Sequence, residues 1–234
     1  MLNFLRKTRL KEMKGKYLKY AIGEIVLVVM GILIALSISN YNERRKDRAF
    51  EHDILAEINQ NLALDSTSLS MILDDFLKAQ TAFVKIENTT NEVIINDSLK
   101  WWLGDVIQFD RFRPISSAFE VLKSKNLGII TNRTLRLDIT TYYDNHVNWI
   151  AQSLGDVEKS FNNDWVPELK TSFVDMKFKS YVTPRSPKAW LSDEKNIVLL
   201  DLHKDNRNGA INPMREALQL ISKIRKTINT ELNR

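Results

Sequence analysis

From Ile25 to Leu36 the chain carries no polar side chain, and across the wider run Ala21 to Ile38 the only charge is Glu24. Three structures suit such a run: a membrane-crossing helix, a signal sequence removed after export, and a buried core helix. A core helix keeps a polar stripe toward solvent, and none exists here for over three turns. A helix of about 20 residues crosses a hydrocarbon layer of ~30 Å, with tilt or snorkelling ends adjusting the fit. Ala35 and Ser37 favour the signal reading, being small residues at a spacing a signal peptidase accepts. Against it, the basic tail of residues 1–19 is long for a signal. The helical pattern also continues unbroken into NERRKDRAFEHDILAEI, residues 42–58. We therefore read residues 1–19 as a cytosolic tail, 20–41 as a retained transmembrane helix and 42–234 as an exported domain.

Charge supports this division. The formal +5 would suggest nucleic-acid binding if it were spread over the domain. Residues 1–42 instead hold seven Lys and Arg against two acids, and residues 43–234 hold 27 of each sign. The excess belongs to the tail, so no nucleic-acid partner is expected. The seven cations before the span outnumber the four that closely follow it (Arg44, Arg45, Lys46, Arg48), which places the N-terminus in the cytosol.

Glu24 has two readings. Near the cytosolic end it can snorkel toward headgroups and meet Lys16, Lys19 or Tyr20. Alternatively, Gly31, Ala35 and Ser39 form a small-xxx-small ladder on nearly the same face. Glu24 with this ladder would suit a helix–helix contact with a second copy or another span.

YAIGEIVLVVMGILIALSISNYNERRKDR, residues 20–48, resembles the opening of a family of single-pass membrane proteins from flavobacterial-type Gram-negative bacteria. That family reads YAIGEI, an apolar run with GILIAL, then a short polar exit in which a tryptophan is usual. Tyr41 stands in that place here. Residues 116–145 resemble its later helix–Gly–helix segment more loosely. The family carries a domain of unknown function, so the resemblance implies an anchor in the inner (cytoplasmic) membrane and a periplasmic domain. It implies no activity and no site residues.

Beyond the span, Leu55, Leu62, Leu69, Phe76 and Phe83 recur every seven residues, with Ile58, Ile72, Ala79 and Ile86 at companion positions. This is a coiled-coil-like seam. Asp65 interrupts it. The acid either breaks the helix, with DSTS capping a new one, or sits in a partner interface as a register device. Residues 88–98 read as a turn, then a helix capped at Asp97 or Ser98. Pro114 suits the first turn of the next helix and Gly128 its stop. Asn132 can cap a long helix with the stripe Leu135, Ile139, Tyr142, His146, Ile150, Leu154, Val157 and Phe161, ended or kinked at Pro167. Residues 173–190 read as a loop with at most one strand. Two helices should close the chain, one beginning near Ser192 and the other capped at Asn212 before Pro213, with a turn at Asn206–Gly209. The expected fold is all-α, a transmembrane helix continuing into a bundle of long helices.

Chemistry is scarce. The absence of cysteine excludes thiolate sites, and His52, His146 and His203 lack the spacing of a zinc motif. His146 reads as a satisfied core histidine. No nucleophile elbow or phosphate-cradling glycine loop is present, so neither enzyme activity nor a cofactor is expected. The richest stretch is WWLGDVIQFDRFRPISSAF, residues 101–119. With Arg133 and Arg136, its Arg111 and Arg113 could form an anion or peptide pocket. The same residues could equally make a helix corner that buries rings and exposes guanidinium groups. The sequence thus points to a membrane-anchored interaction protein, acting as a homo-oligomer or on another envelope protein. The alternative is a ligand-sensing module that signals through a partner.

Overall fold

The computed structural model describes the backbone of residues 2–90 and 97–233. The sequence-predicted turn near residue 90 therefore lies mainly outside the described residues. The chain forms two compact units, divided between Glu51 and His52. They are described one at a time.

In the first unit every described residue belongs to helix α1, Leu2–Thr90. Its residues 22–49 are all exposed, including the large apolar side chains from Ile22 to Ile38. This stretch is long and apolar enough to cross a membrane, and none of it is buried. Apolar surface left uncovered in this way is unfavourable in water.

The second unit is a helical bundle with a small hairpin. α1 crosses Asp65 without a break. Then come α2 (Leu99–Ile107), α3 (Ser117–Lys125) and α4 (Arg133–Thr141). α4 runs on through a π turn (Tyr142–His146) into α5 (Val147–Ser160), and through a second (Phe161–Trp165) into α6 (Val166–Ser172). Strands β1 (Phe173–Lys177) and β2 (Tyr181–Pro184) pair antiparallel. α7 (Pro187–Ser192) and α8 (Glu194–Leu232) close the chain.

Local chemistry explains several boundaries. The Asn132 side chain accepts the Leu135 N–H at 3.1 Å, the expected N-cap. Asp193 caps α8 by accepting the Lys195 N–H at 2.9 Å. Ser98 stands at the N-cap position of α2.

Other expectations are corrected. Pro114 lies in the loop before α3, which starts at Ser117. α3 stops at Lys125, and Gly128 sits in a 3-10 turn where Asn126 accepts its N–H at 2.7 Å. Pro167 does not end the helix: it follows the second π turn directly, and α6 runs through it to Ser172. Residues 173–184 contain two strands. The expected turn at Asn206–Gly209 does not exist, because α8 passes through Gly209 and Pro213 as one helix. An interior proline costs about 3 kcal/mol. Burial of Ala210, Ile211, Met214 and Ala217 around it offsets that cost.

The seam on α1 is consumed inside the chain. Leu55, Ile58, Leu62, Leu69, Ile72, Phe76, Ala79, Phe83 and Ile86 are buried. α8 lies antiparallel to α1. Asn59 donates to Asn229 at 3.0 Å, Gln80 to Asn208 at 2.7 Å, and Glu87 meets Lys204. α4 is also antiparallel to α8, through Asn132 to Glu231 at 2.7 Å and Lys223 to Asp138 at 2.9 Å. α1, α4–α6 and α8 thus form a three-helix frame.

One end of the frame is closed by a core of Phe83, Ile86, Leu99, Leu103, Ile107, Trp165, Phe173, Val182 and Trp190. The hairpin seats on α2 at Gly104. A Cβ there would stand 2.2 Å from the Ser180 carbonyl oxygen and 2.8 Å from the Tyr181 Cα. Main chain cannot swing aside as a side-chain tip can. Gly104→Ala should therefore destabilise the domain by about 1–3 kcal/mol, read as a lower urea midpoint of the full chain in detergent. An unchanged midpoint would show that the hairpin yields freely.

Candidate functional site

The residues of the apolar helix singled out from sequence keep their shared face. Glu24, Gly31, Ala35 and Ser39 fall at steps of seven, four and four along an exposed helix. A Cβ added at Gly31 would meet nothing within 4 Å. Within the first unit this face has no partner among the described residues. A helix approaching it could come close at Gly31, as small residues permit.

The four arginines do not converge on one partner. Arg111 makes a two-pronged contact with Glu158 of α5, Nε to Oε2 at 2.9 Å and the second bond through Nη2. Its guanidinium also lies 5.4 Å from the Phe109 ring centroid. The hydrogen bond from Arg111 holds the Glu158 carboxyl below the usual carboxylate range. Arg136 is half-buried and donates to the Ile130 carbonyl at 3.4 Å. Arg113 and Arg133 are exposed. The rings between them are partly interior: Phe112 and Phe119 are buried, and Phe119 stacks on Tyr143 at 4.5 Å. These contacts are those of a helix corner.

Three buried polar groups were not legible as a set. Asp65 is 1% exposed. Its carboxyl accepts the Tyr142 hydroxyl at 2.7 Å and the Ile115 N–H at 2.9 Å. It is neither a helix cap nor a partner contact, because its partners lie within its own domain. Burial pushes the Asp65 carboxyl up, and the two donors oppose that shift.

His203 is fully buried. Its Nε2 faces the Val106 carbonyl at 3.0 Å and its Nδ1 faces the Ser160 hydroxyl at 3.2 Å. A carbonyl only accepts, so Nε2 carries the proton. Nδ1 is then the acceptor in a neutral ring. Burial, with the nearby Arg207, pushes the imidazole down to about 3. Ser160 also lies 3.1 Å from Asp164. The trio shares residue types with a hydrolytic triad but not its connectivity. The carboxylate contacts the serine, and the far imidazole nitrogen is spent on backbone. His203, not His146, is thus the satisfied core histidine. His146 is only half-buried, and its Nδ1 has no hydrogen-bond partner.

One turn along α8, Arg207 is 1% exposed. Its guanidinium lies 4.1 Å from the Phe76 ring centroid and bonds to the Gln108 carbonyl, with the Asp75 carbonyl at 3.4 Å. Burial lowers it to about 10, while Asp110, Asp75 and Asp105 pull it back toward the charged form. Among the described residues no group of three or more His, Asp or Glu is placed to hold a metal ion.

The model of a family of unknown function, DUF6090, matches residues 24–163. That is more than half of the chain. The protein belongs to the DUF6090 family. No curated protein and no solved structure matches it. The DUF6090 match begins inside the apolar helix and ends in the second π turn, taking in Asp65, Tyr142, the Arg111–Glu158 pair and Ser160. His203 and Arg207, on α8, lie beyond it.

Proposed function

We propose that this protein is a non-enzymatic, membrane-anchored interaction protein of the cell envelope. In this reading α1 sits in the inner (cytoplasmic) membrane with the N-terminus in the cytosol and the helical domain in the periplasm. One observation carries it: an unburied apolar stretch on the same chain as a bundle that buries its own seam. α1 spends its heptads on its own domain, and in this reading the self-association surface is the membrane face of Glu24, Gly31, Ala35 and Ser39. The partner is a second copy or another single-span envelope protein. The alternative, a ligand-sensing module acting through a partner, has less support, because Arg111 and Arg136 already serve the fold.

The cysteine-free sequence makes a clean test. Full-length protein carrying Ala35→Cys should cross-link in cells, to itself or to one envelope protein, at least several-fold more than Leu33→Cys on another face. Asn233→Cys should react with a membrane-impermeant thiol reagent applied from the periplasmic side. Equal cross-linking at both positions would remove the helix-packing claim, and labelling only after the cytosol is opened would reverse the orientation.

A further inference from the structure

The first unit has a second ordered face. Leu33, Ile34, Ser37, Ile38 and Tyr41 line a shallow apolar groove along α1. Steps of four and three lead from Ile34 through Ile38 and Tyr41 to Arg45 and Arg48, and a second row runs Leu33, Ser37, Tyr41, Arg44. Residues so spaced share one side of a helix. Glu43 falls off that side, and Asp47 lies at its edge, three residues from Arg44. The small-residue face borders this side along Ile34 and Ile38, while Leu33 and Ser37 lie away from it.

We propose that this face binds an anionic phospholipid, with an acyl chain along the groove and the phosphate headgroup at Arg44 and Arg45. The inference rests on the membrane reading above. Depth supports it. At ~1.5 Å per residue, Arg44 and Arg45 stand roughly 10 Å beyond Ile38. Headgroup layers add about 5–8 Å on each side of the hydrocarbon core, and arginine side chains can reach back. Tyr41, 69% exposed, sits where an aromatic ring marks the interface. Charge selects the occupant. Guanidinium groups on both sides of the Tyr41 row favour phosphate through their N–H donors, and a zwitterionic headgroup brings its own cation to the same place. Arg48 is already ion-paired to Glu51 at 3.1 Å, so it adds charge and is not assigned the headgroup.

Full-length protein in nanodiscs of phosphatidylcholine with phosphatidylglycerol should retain phosphatidylglycerol selectively, as measured by mass spectrometry of lipids released from the isolated protein. Replacing Arg44 or Arg45 by Gln should lower that preference roughly five-fold each. Adding Glu43→Gln and Asp47→Asn to the double variant restores net charge but not the cationic face, so the preference should stay lost. Its recovery would overturn the inference, since bulk charge alone would then explain binding. An undiminished preference in the double variant would also overturn it. Efficient Leu33→Cys cross-linking between copies would do the same, by placing a second chain in the groove. Protein that inserts but shows no preference refutes this inference alone. Protein that never enters the nanodisc refutes the membrane reading itself.

Discussion

Arg207→Ala is expected to destabilise the helical domain by about 3–5 kcal/mol, the range for truncating a large buried side chain to alanine. The side chain joins three segments that are distant in sequence: Phe76 on α1, the Gln108 carbonyl after α2, and α8 itself. Truncation leaves a cavity against Phe76 and a buried carbonyl without its donor. It also removes a cation near Asp110, which keeps its ion pair with Lys179. Urea unfolding of the full chain in nonionic detergent, followed by the fluorescence of Trp165 and Trp190, would measure the loss. Both tryptophans are buried in the same end of the domain. A loss below about 1 kcal/mol, the size of an ordinary hydrogen bond, would refute the bracing role.

Acidification should act through His203 by a comparable amount. The folded domain keeps the imidazole neutral down to about 3, whereas the unfolded chain protonates it near 6.5. Between these values the unfolded state binds more protons. Stability that is complete above 6.5 is therefore lost as the pH falls, at about 1.4 kcal/mol per unit. From pH 7 to pH 4 the cost is about 3 kcal/mol. The cause is burial, reinforced by Arg207. Asp65 works in the opposite sense, because its raised carboxyl favours the fold as acid protonates it. Comparison with His203→Gln isolates the histidine, since Asp65 is common to both proteins. The variant should lose markedly less stability than the parent between pH 7 and pH 4. Parallel pH profiles would show that His203 does not control acid lability.

Legibility in the sequence followed the range of the interaction. The apolar run, the seam from Leu55 to Ile86, the Asn132 cap and the stripe from Leu135 to Val157 are read from neighbours within one or two helical turns. All of these appear in the structure. Asp65 and the break expected at Gly209–Pro213 were misread for one reason. Locally, an acid in an apolar seam and an Asn–Gly–Pro-rich stretch favour helix ends. In the fold, Asp65 receives donors from Tyr142 and Ile115, and α8 gains more from burying Ala210, Ile211 and Met214 than the proline takes away. The arginine stretch had two readings, a corner and a pocket, and its neighbours in sequence do not choose between them. Its decisive partner, Glu158, lies 47 residues from Arg111.

The sequence by itself determined the apolar helix and the periodic faces of the bundle, because hydropathy and helical spacing are properties of a few consecutive residues. Tertiary structure alone decided that the heptad seam is used up within one chain. It also made His203 and Arg207, two unremarkable polar residues on an exposed-looking stretch, the interior polar posts of the domain. Burial and hydrogen-bond partnership arise only when segments about a hundred residues apart are brought together, as with Val106 and His203.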